Sequence, residues 1–154
     1  MKRNVHAWTD GSCETRTGEG GWAFLLAADG RARQVSGYEP DTTNNRMELT
    51  AAVRALETLR EPCRIEITTD SQYLKNAFTQ NWLKNWQRNG WRTASRQPVK
   101  NRDLWERLLE LTADHDVTWS WTRGHSGHRE NELVDRLALQ ARRTRTGTDR
   151  RLTL

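Results

Sequence analysis

Thr42-Thr43-Asn44-Asn45-Arg46-Met47-Glu48-Leu49 decides how this chain of 154 residues is read. The stretch reads as a loop running into a helix. Residues 42–45 are all of types that cap a helix N-terminus. Residues 46–60 then supply Ala, Leu, Met and Glu, good helix formers, with no Gly or Pro before Pro62. At helical spacing Glu48 shares a face with Ala52, Ala55 and Leu59. A carboxylate therefore heads an otherwise apolar stripe, near the positive end of the helix dipole. Taken alone, Glu48 reads equally well as a first-turn acid that complements that dipole. The other acids of the chain tip the balance.

Upstream, Val5-His6-Ala7-Trp8-Thr9-Asp10 alternates as a strand does and is expected to end at Gly11-Ser12. A hairpin turn over 16–21 leads to the apolar strand 22–28. Asp29-Gly30 is a two-residue hairpin signal, so the third strand, 31–38, is expected to pair back antiparallel. Downstream, 64–70 is a short β-branched strand that again ends in Asp, and helical stretches follow from Ser71 to Phe78 and over 81–87. Residues 88–98 form a basic loop broken by Gly90 and Pro98. Leu104, Leu108 and Leu111 mark a further helix, 117–121 a last strand, and 129–143 a final helix with Leu133, Leu137 and Ala141 inward. Hairpin strands followed by alternating helix and strand predict an α/β fold, a mixed five-stranded sheet flanked by helices. Ligands of such sheets sit beyond the carboxyl ends of the parallel strands, where Asp10 and Asp70 fall. The expected organisation is one domain over 1–143 and a polar, basic tail, 144–154, that is poorly ordered.

Hydrophobic residues make up 34% and charged residues 29% of the chain, giving a modest core and a highly charged surface. The positive start, Met1-Lys2-Arg3, has no apolar run behind it and is not a secretory signal. No window approaches a membrane span. Cys13 and Cys63 are too few for a disulfide framework and read as free thiols of a cytoplasmic protein. Net charge is +5, and its distribution is uneven. Between Asp70 and Asp103 no acid occurs, while Lys75, Lys84, Arg88, Arg92, Arg96, Lys100 and Arg102 alternate with Trp82, Trp86 and Trp91. One-signed charge mixed with aromatics points to a polyanionic partner, nucleic acid ahead of membrane.

A further acid, Asp135, is flanked by Leu133, Val134 and Leu137, a costly place for an unpaired charge. Asp10, Glu48, Asp70 and Asp135 thus all lie at element ends or beside core positions. Four carboxylates brought together repel one another and raise each other's pKa. A divalent cation relieves this, and all-oxygen ligands favour a hard ion, Mg²⁺ or Mn²⁺.

Five blocks carry a resemblance: 9–13 (Thr-Asp-Gly-Ser-Cys), 43–49 (Thr-Asn-Asn-Arg-Met-Glu-Leu), 69–73 (Thr-Asp-Ser-Gln-Tyr), 124–128 (Gly-His-Ser-Gly-His) and 131–135 (Asn-Glu-Leu-Val-Asp). In this order they closely resemble ribonuclease HI, and the segment 82–101 is similar to that family's basic protrusion, which is taken as 81–101 of the domain. The resemblance implies an RNase H-like fold and a monomeric endonuclease that cuts the RNA strand of an RNA–DNA hybrid, leaving 3′-hydroxyl and 5′-phosphate ends. It implies that Asp10, Glu48, Asp70 and Asp135 hold two Mg²⁺ ions, with Mn²⁺ as a possible substitute, and that His125 is an accessory catalytic residue on a loop. By the same carry-over Gly11, Cys13, Asn44, Asn45 and Gln72 contact the RNA strand. Thr43 and Asn85 resemble a phosphate pocket for the DNA strand, beside Trp82, Lys84, Trp86 and Arg88. Either tryptophan also fits core packing, but Leu83 offers an alternative inward face, so at least one is expected to be exposed.

Two departures stand out. Arg16-Thr17 replaces the family's usual Asn-Pro, and Asp41 puts an acid beside the phosphate pocket. Two other readings remain open on sequence alone: a metal-dependent nuclease acting on DNA, and a hybrid-binding module without catalysis. The first lacks a reason for the 43–49 block and the protrusion, and the second leaves the four acids unexplained.

Overall fold

The computed structural model describes residues 2–122 and 128–153. Strands β1 (Arg3–Glu14), β2 (Glu19–Ala28) and β3 (Arg31–Glu39) form an antiparallel meander. Helix α1 (Asn44–Glu57) then crosses back to β4 (Cys63–Thr69), which pairs parallel to β1. Helices α2 (Gln72–Thr79), α3 (Trp82–Asn89) and α4 (Arg102–Ala113) lead to β5 (Asp116–Trp121), parallel to β4. Helix α5 (Arg129–Thr144) and a last strand, β6 (Thr148–Thr153), complete the chain. The sheet order is β5-β4-β1-β2-β3-β6. This is the expected α/β mixed sheet, with six strands rather than five.

Alternation along β1 and β2 divides the core. Val5, Ala7, Trp22, Phe24 and Leu26 join α1, α4 and the buried Trp105 in the larger cluster. Ala23 and Leu25 turn to the other face, against Val134, Leu137 and Ala138 of α5. Helix α1 is more than amphipathic: its buried residues run without a break from Met47 to Val53, as suits a helix enclosed on nearly every side.

Two expectations are corrected. Strand β1 does not stop at Gly11-Ser12 but continues to Glu14, because β2 pairs with it along its whole outer half, including Asp10↔Ala23 and Gly11↔Trp22. The turn is correspondingly shorter than 16–21, with β2 already under way at Glu19. The 144–154 tail is not a loose end either. Its residues 148–153 pair antiparallel with β3, from Ser36↔Thr148 to Arg31↔Thr153. Arg33 grips Asp149 through two hydrogen bonds of 3.0 and 2.7 Å, and Leu152 packs on the smaller core cluster. Gly147 makes the approach possible, since a Cβ there would lie 2.1 Å from the carbonyl oxygen of Ser36. Without β6, strand β3 would be a bare edge with unpaired backbone groups. Deleting residues 148–153 is expected to lower the melting temperature by roughly 5 °C. A variant melting with the parent would show that the added strand contributes nothing.

Candidate active site

The parallel pairing of β1 and β4 runs out at Trp8↔Thr68. Asp10 and Asp70 lie just beyond it, where the two strands begin to diverge. Glu48 comes in from α1. Gly11 lets that helix close, because a Cβ at this position would sit 2.5 Å from the Glu48 nitrogen and from the Met47 carbonyl carbon. Carboxylate oxygens of Asp10, Glu48 and Asp70 lie within 4.8 Å of one another. Folding thus brings together three of the four acids expected to share the site. Glu48 is the fifth residue of α1, with no acid in the first turn, so it does not act as a dipole complement there. Asp135 approaches from α5 on the opposite face of the sheet, near enough to raise the Asp10 carboxyl.

Burial makes this grouping electrostatically costly. Asp10 and Glu48 are each only 6% exposed. Desolvation, then the charges of Asp70 and Asp135, push the Asp10 carboxyl up to about 8, against the pull of the Gly11 N–H on its Oδ1 at 2.9 Å. Glu48 is raised well above the ordinary carboxylate range, first by desolvation and next by Asp10 and Asp70. Its Oε2 is buried with no hydrogen-bond partner among the described residues. A buried carboxylate oxygen without a donor, set among other carboxylates, is the electron-rich cradle that a hard divalent cation fits.

The linkage has a definite direction. Between the ordinary 3.8 and about 8, folded Asp10 keeps a proton that the unfolded chain has released. Its contribution to stability is therefore greatest in acid and is lost as pH rises through that window. Melting in chelator from pH 5 to 8 should show falling stability, and millimolar Mg²⁺ should recover most of the loss at pH 8. A cation-insensitive melting temperature at pH 8 would contradict the assignment.

The residues expected to contact the RNA strand, with Thr43, each lie within five positions of one of these acids along the chain. Thr43 caps α1, accepting from the Arg46 nitrogen at 3.1 Å, and Asn44 and Asn45 are exposed in its first turn. Gln72 is exposed at the start of α2, after Ser71 has capped that helix. Cys13 is half-buried, its thiol donating to the Thr42 carbonyl at 3.4 Å. His125 lies outside the described residues. In the departures, Arg16 folds back on Glu14, and Asp41 is exposed with a left-handed backbone, φ 51°.

On the protrusion, Leu83 is buried while Trp82 and Trp86 are both half-exposed. With exposed Asn85 and Arg88 they line a groove of about 580 Å³, and Lys84, also exposed, lies outside that lining. Asn89 and Thr93 also line this groove, which the basic–aromatic pattern alone did not single out. A larger depression of about 800 Å³ opens at the far end of the sheet. Its two acids, Asp29 and Glu61, are both ion-paired to Arg3, so the carboxylate chemistry is not there.

A mixed sheet whose parallel strands end at a desolvated group of carboxylates, with a basic aromatic groove on its protrusion, fits the nucleases among the hydrolases. Residues 2–143 match the RNase H family model, and the chain belongs to the RNase H family. Its relatives include the ribonuclease H of Hydrogenovibrio crunogenus, 54% identical over 94% of this chain and 99% of that protein. That of Halorhodospira halophila is 59% identical over 88% of this chain and 91% of that protein. Among solved structures, LC9-RNase H1, described as a type 1 RNase H with the type 2 active-site motif, superimposes with a TM-score of 0.86. It is 31% identical, and the match covers all of this chain and 79% of that one. No described helix is long and apolar enough to cross a membrane.

Proposed function

We propose that this chain is a monomeric, cytoplasmic endonuclease that hydrolyses the RNA strand of RNA–DNA hybrids, leaving 3′-hydroxyl and 5′-phosphate ends. The observation that carries the reading is the approach of Asp10, Glu48 and Asp70 to within 4.8 Å in a largely desolvated setting. With Asp135 they would hold two Mg²⁺ ions, Mn²⁺ substituting, in a single catalytic domain that runs past the expected 1–143 to take in β6, with its protrusion at 81–101. When bound, the ions supply the Lewis acidity that activates water and offsets charge on the leaving oxygen.

The chain's own groups bind and orient. The Gly11 N–H fixes one oxygen of Asp10. Gly11, Cys13, Asn44, Asn45 and Gln72 read the RNA strand and its 2′-hydroxyls, where small or amide groups donate and accept without adding charge. Trp82 and Trp86 pack on deoxyribose of the DNA strand, Thr43 and Asn85 hold one of its phosphates, and Lys84 and Arg88 add salt-dependent attraction. His125 would move a proton at the reacting water or ease product departure, work that suits an imidazole.

Incubating the protein with labelled hybrid, duplex DNA and duplex RNA in Mg²⁺ tests the reading directly. Only the RNA of the hybrid should be cut, yielding 5′-phosphorylated fragments. Cleavage of duplex DNA, or binding without cleavage, would replace this function with another.

A further inference from the structure

The protrusion leaves and rejoins the body at two asparagines with left-handed backbones, Asn81 at φ 58° and Asn101 at φ 62°. Asn tolerates this conformation better than most residues. The second root is tied to the helix that carries Glu48. Arg46, in the first turn of α1, donates to both carboxylate oxygens of Asp103 at 3.0 and 2.7 Å and to Asn101 Oδ1 at 3.4 Å. Asn101 in turn donates to the Tyr73 hydroxyl at 3.4 Å, which also accepts from Trp105 Nε1 at 3.0 Å. Trp105 is fully buried and its ring lies 5.7 Å from that of Trp86, which faces the groove. A continuous chain of contacts therefore runs from the start of α1 to the tryptophans of the protrusion. The Arg46 backbone closes the Thr43 cap at the same time, so one residue serves both sides.

We propose that Arg46 is a positioning residue: paired with Asp103 and Asn101, it sets the distance between the RNA-reading start of α1 and the DNA-gripping protrusion. This rests on the hybrid-cleavage reading above. The pair spans two anchor points that a stiff duplex must meet at once, so loosening it costs affinity rather than chemistry. A fork-shaped guanidinium suits the task because it fixes direction as well as distance. The simpler alternative is that Arg46 binds a phosphate itself, and Asp103 separates the two. Removing an acid near a polyanion strengthens binding if charge alone matters, whereas removing a strut weakens it.

The test is steady-state cleavage of a hybrid by the full chain carrying Arg46→Ala, Asp103→Asn or the exchange Arg46→Asp with Asp103→Arg. Far-UV circular dichroism confirms that each is folded. Wild-type cleavage of hybrid must come first, since its failure refutes the functional reading and not the positioning one. Arg46→Ala and Asp103→Asn should each raise KM about tenfold with kcat within about threefold. The salt dependence of binding should keep its wild-type slope, and the exchange should recover part of the loss. Asp103→Asn with an unchanged or lowered KM overturns the proposal. So does Arg46→Ala with a salt slope smaller by about one, which is the signature of a lost phosphate contact. Should Arg46→Ala fail to fold, Asp103→Asn with Arg46→Lys decides alone: a raised KM in both supports the strut, and a wild-type KM in either rejects it.

Discussion

Asp10→Asn is expected to reduce hybrid cleavage by about 10³-fold or more while leaving hybrid binding nearly intact. The same change should make the cation-free protein more stable, not less. Asn keeps the shape of Asp, can still accept from the Gly11 N–H, and brings an amide that can donate to neighbouring carboxylates. What it removes is a desolvated charge facing Asp70 and Asp135. At pH 8 in chelator the gain should be about 1–3 kcal/mol, given 1.36 kcal/mol for each pKa unit relieved and partial relaxation of the site. Glu48 should then titrate closer to its ordinary range, because Asp10 is the foremost of the charges that raise it. Single-turnover cleavage and chemical denaturation measure the two halves separately. Wild-type cleavage by this variant would remove Asp10 from the machinery, and a loss of stability in chelator would refute the electrostatic account.

Gly11→Ala is expected to damage folding and catalysis together. The added methyl meets backbone atoms of α1, at 2.5 Å from the Glu48 nitrogen and from the Met47 carbonyl carbon. Backbone inside an enclosed helix does not step aside cheaply, so the cost should be about 3 kcal/mol or more. Folded molecules would carry Glu48 displaced from Asp10, and a shift near 1 Å should cost roughly 10²-fold in kcat. Gly20→Ala supplies the control: its methyl meets the side chains of Thr42 and Met47, of which the Met chain is flexible. Urea unfolding of both variants, with kcat on hybrid, checks the contrast. Equal costs at the two positions would mean that the close approach at Gly11 is unimportant.

What could be read before the fold was known depended on whether a residue's local pattern carried its reason. The apolar stripe behind Glu48, the strand-ending Asp70 and the apolar neighbours of Asp135 each marked an acid in an expensive place. The outer half of β1 was harder to read, because Gly11-Ser12 is ordinary turn chemistry. It stays extended only because β2 lies alongside it and α1 needs the space left by the missing side chain. Strand β6 was harder still. Thr148-Asp149-Arg150-Arg151-Leu152-Thr153 contains one apolar residue, as an edge strand with little to bury allows, and its pairing rests on partners 116 positions away, such as Arg33 with Asp149. The tie between Arg46 and Asp103 spans 57 positions and has no local signature at all.

The far-end depression is lined by both Arg3 of the first strand and Thr153 of the last, while the acids occupy the other limit of the same sheet. Anything grafted at residue 2 or residue 153, whether a fluorophore, a bead or another folded body, is thus held away from the chemistry by the length of the sheet. Such attachments leave the acidic end of the sheet unobstructed.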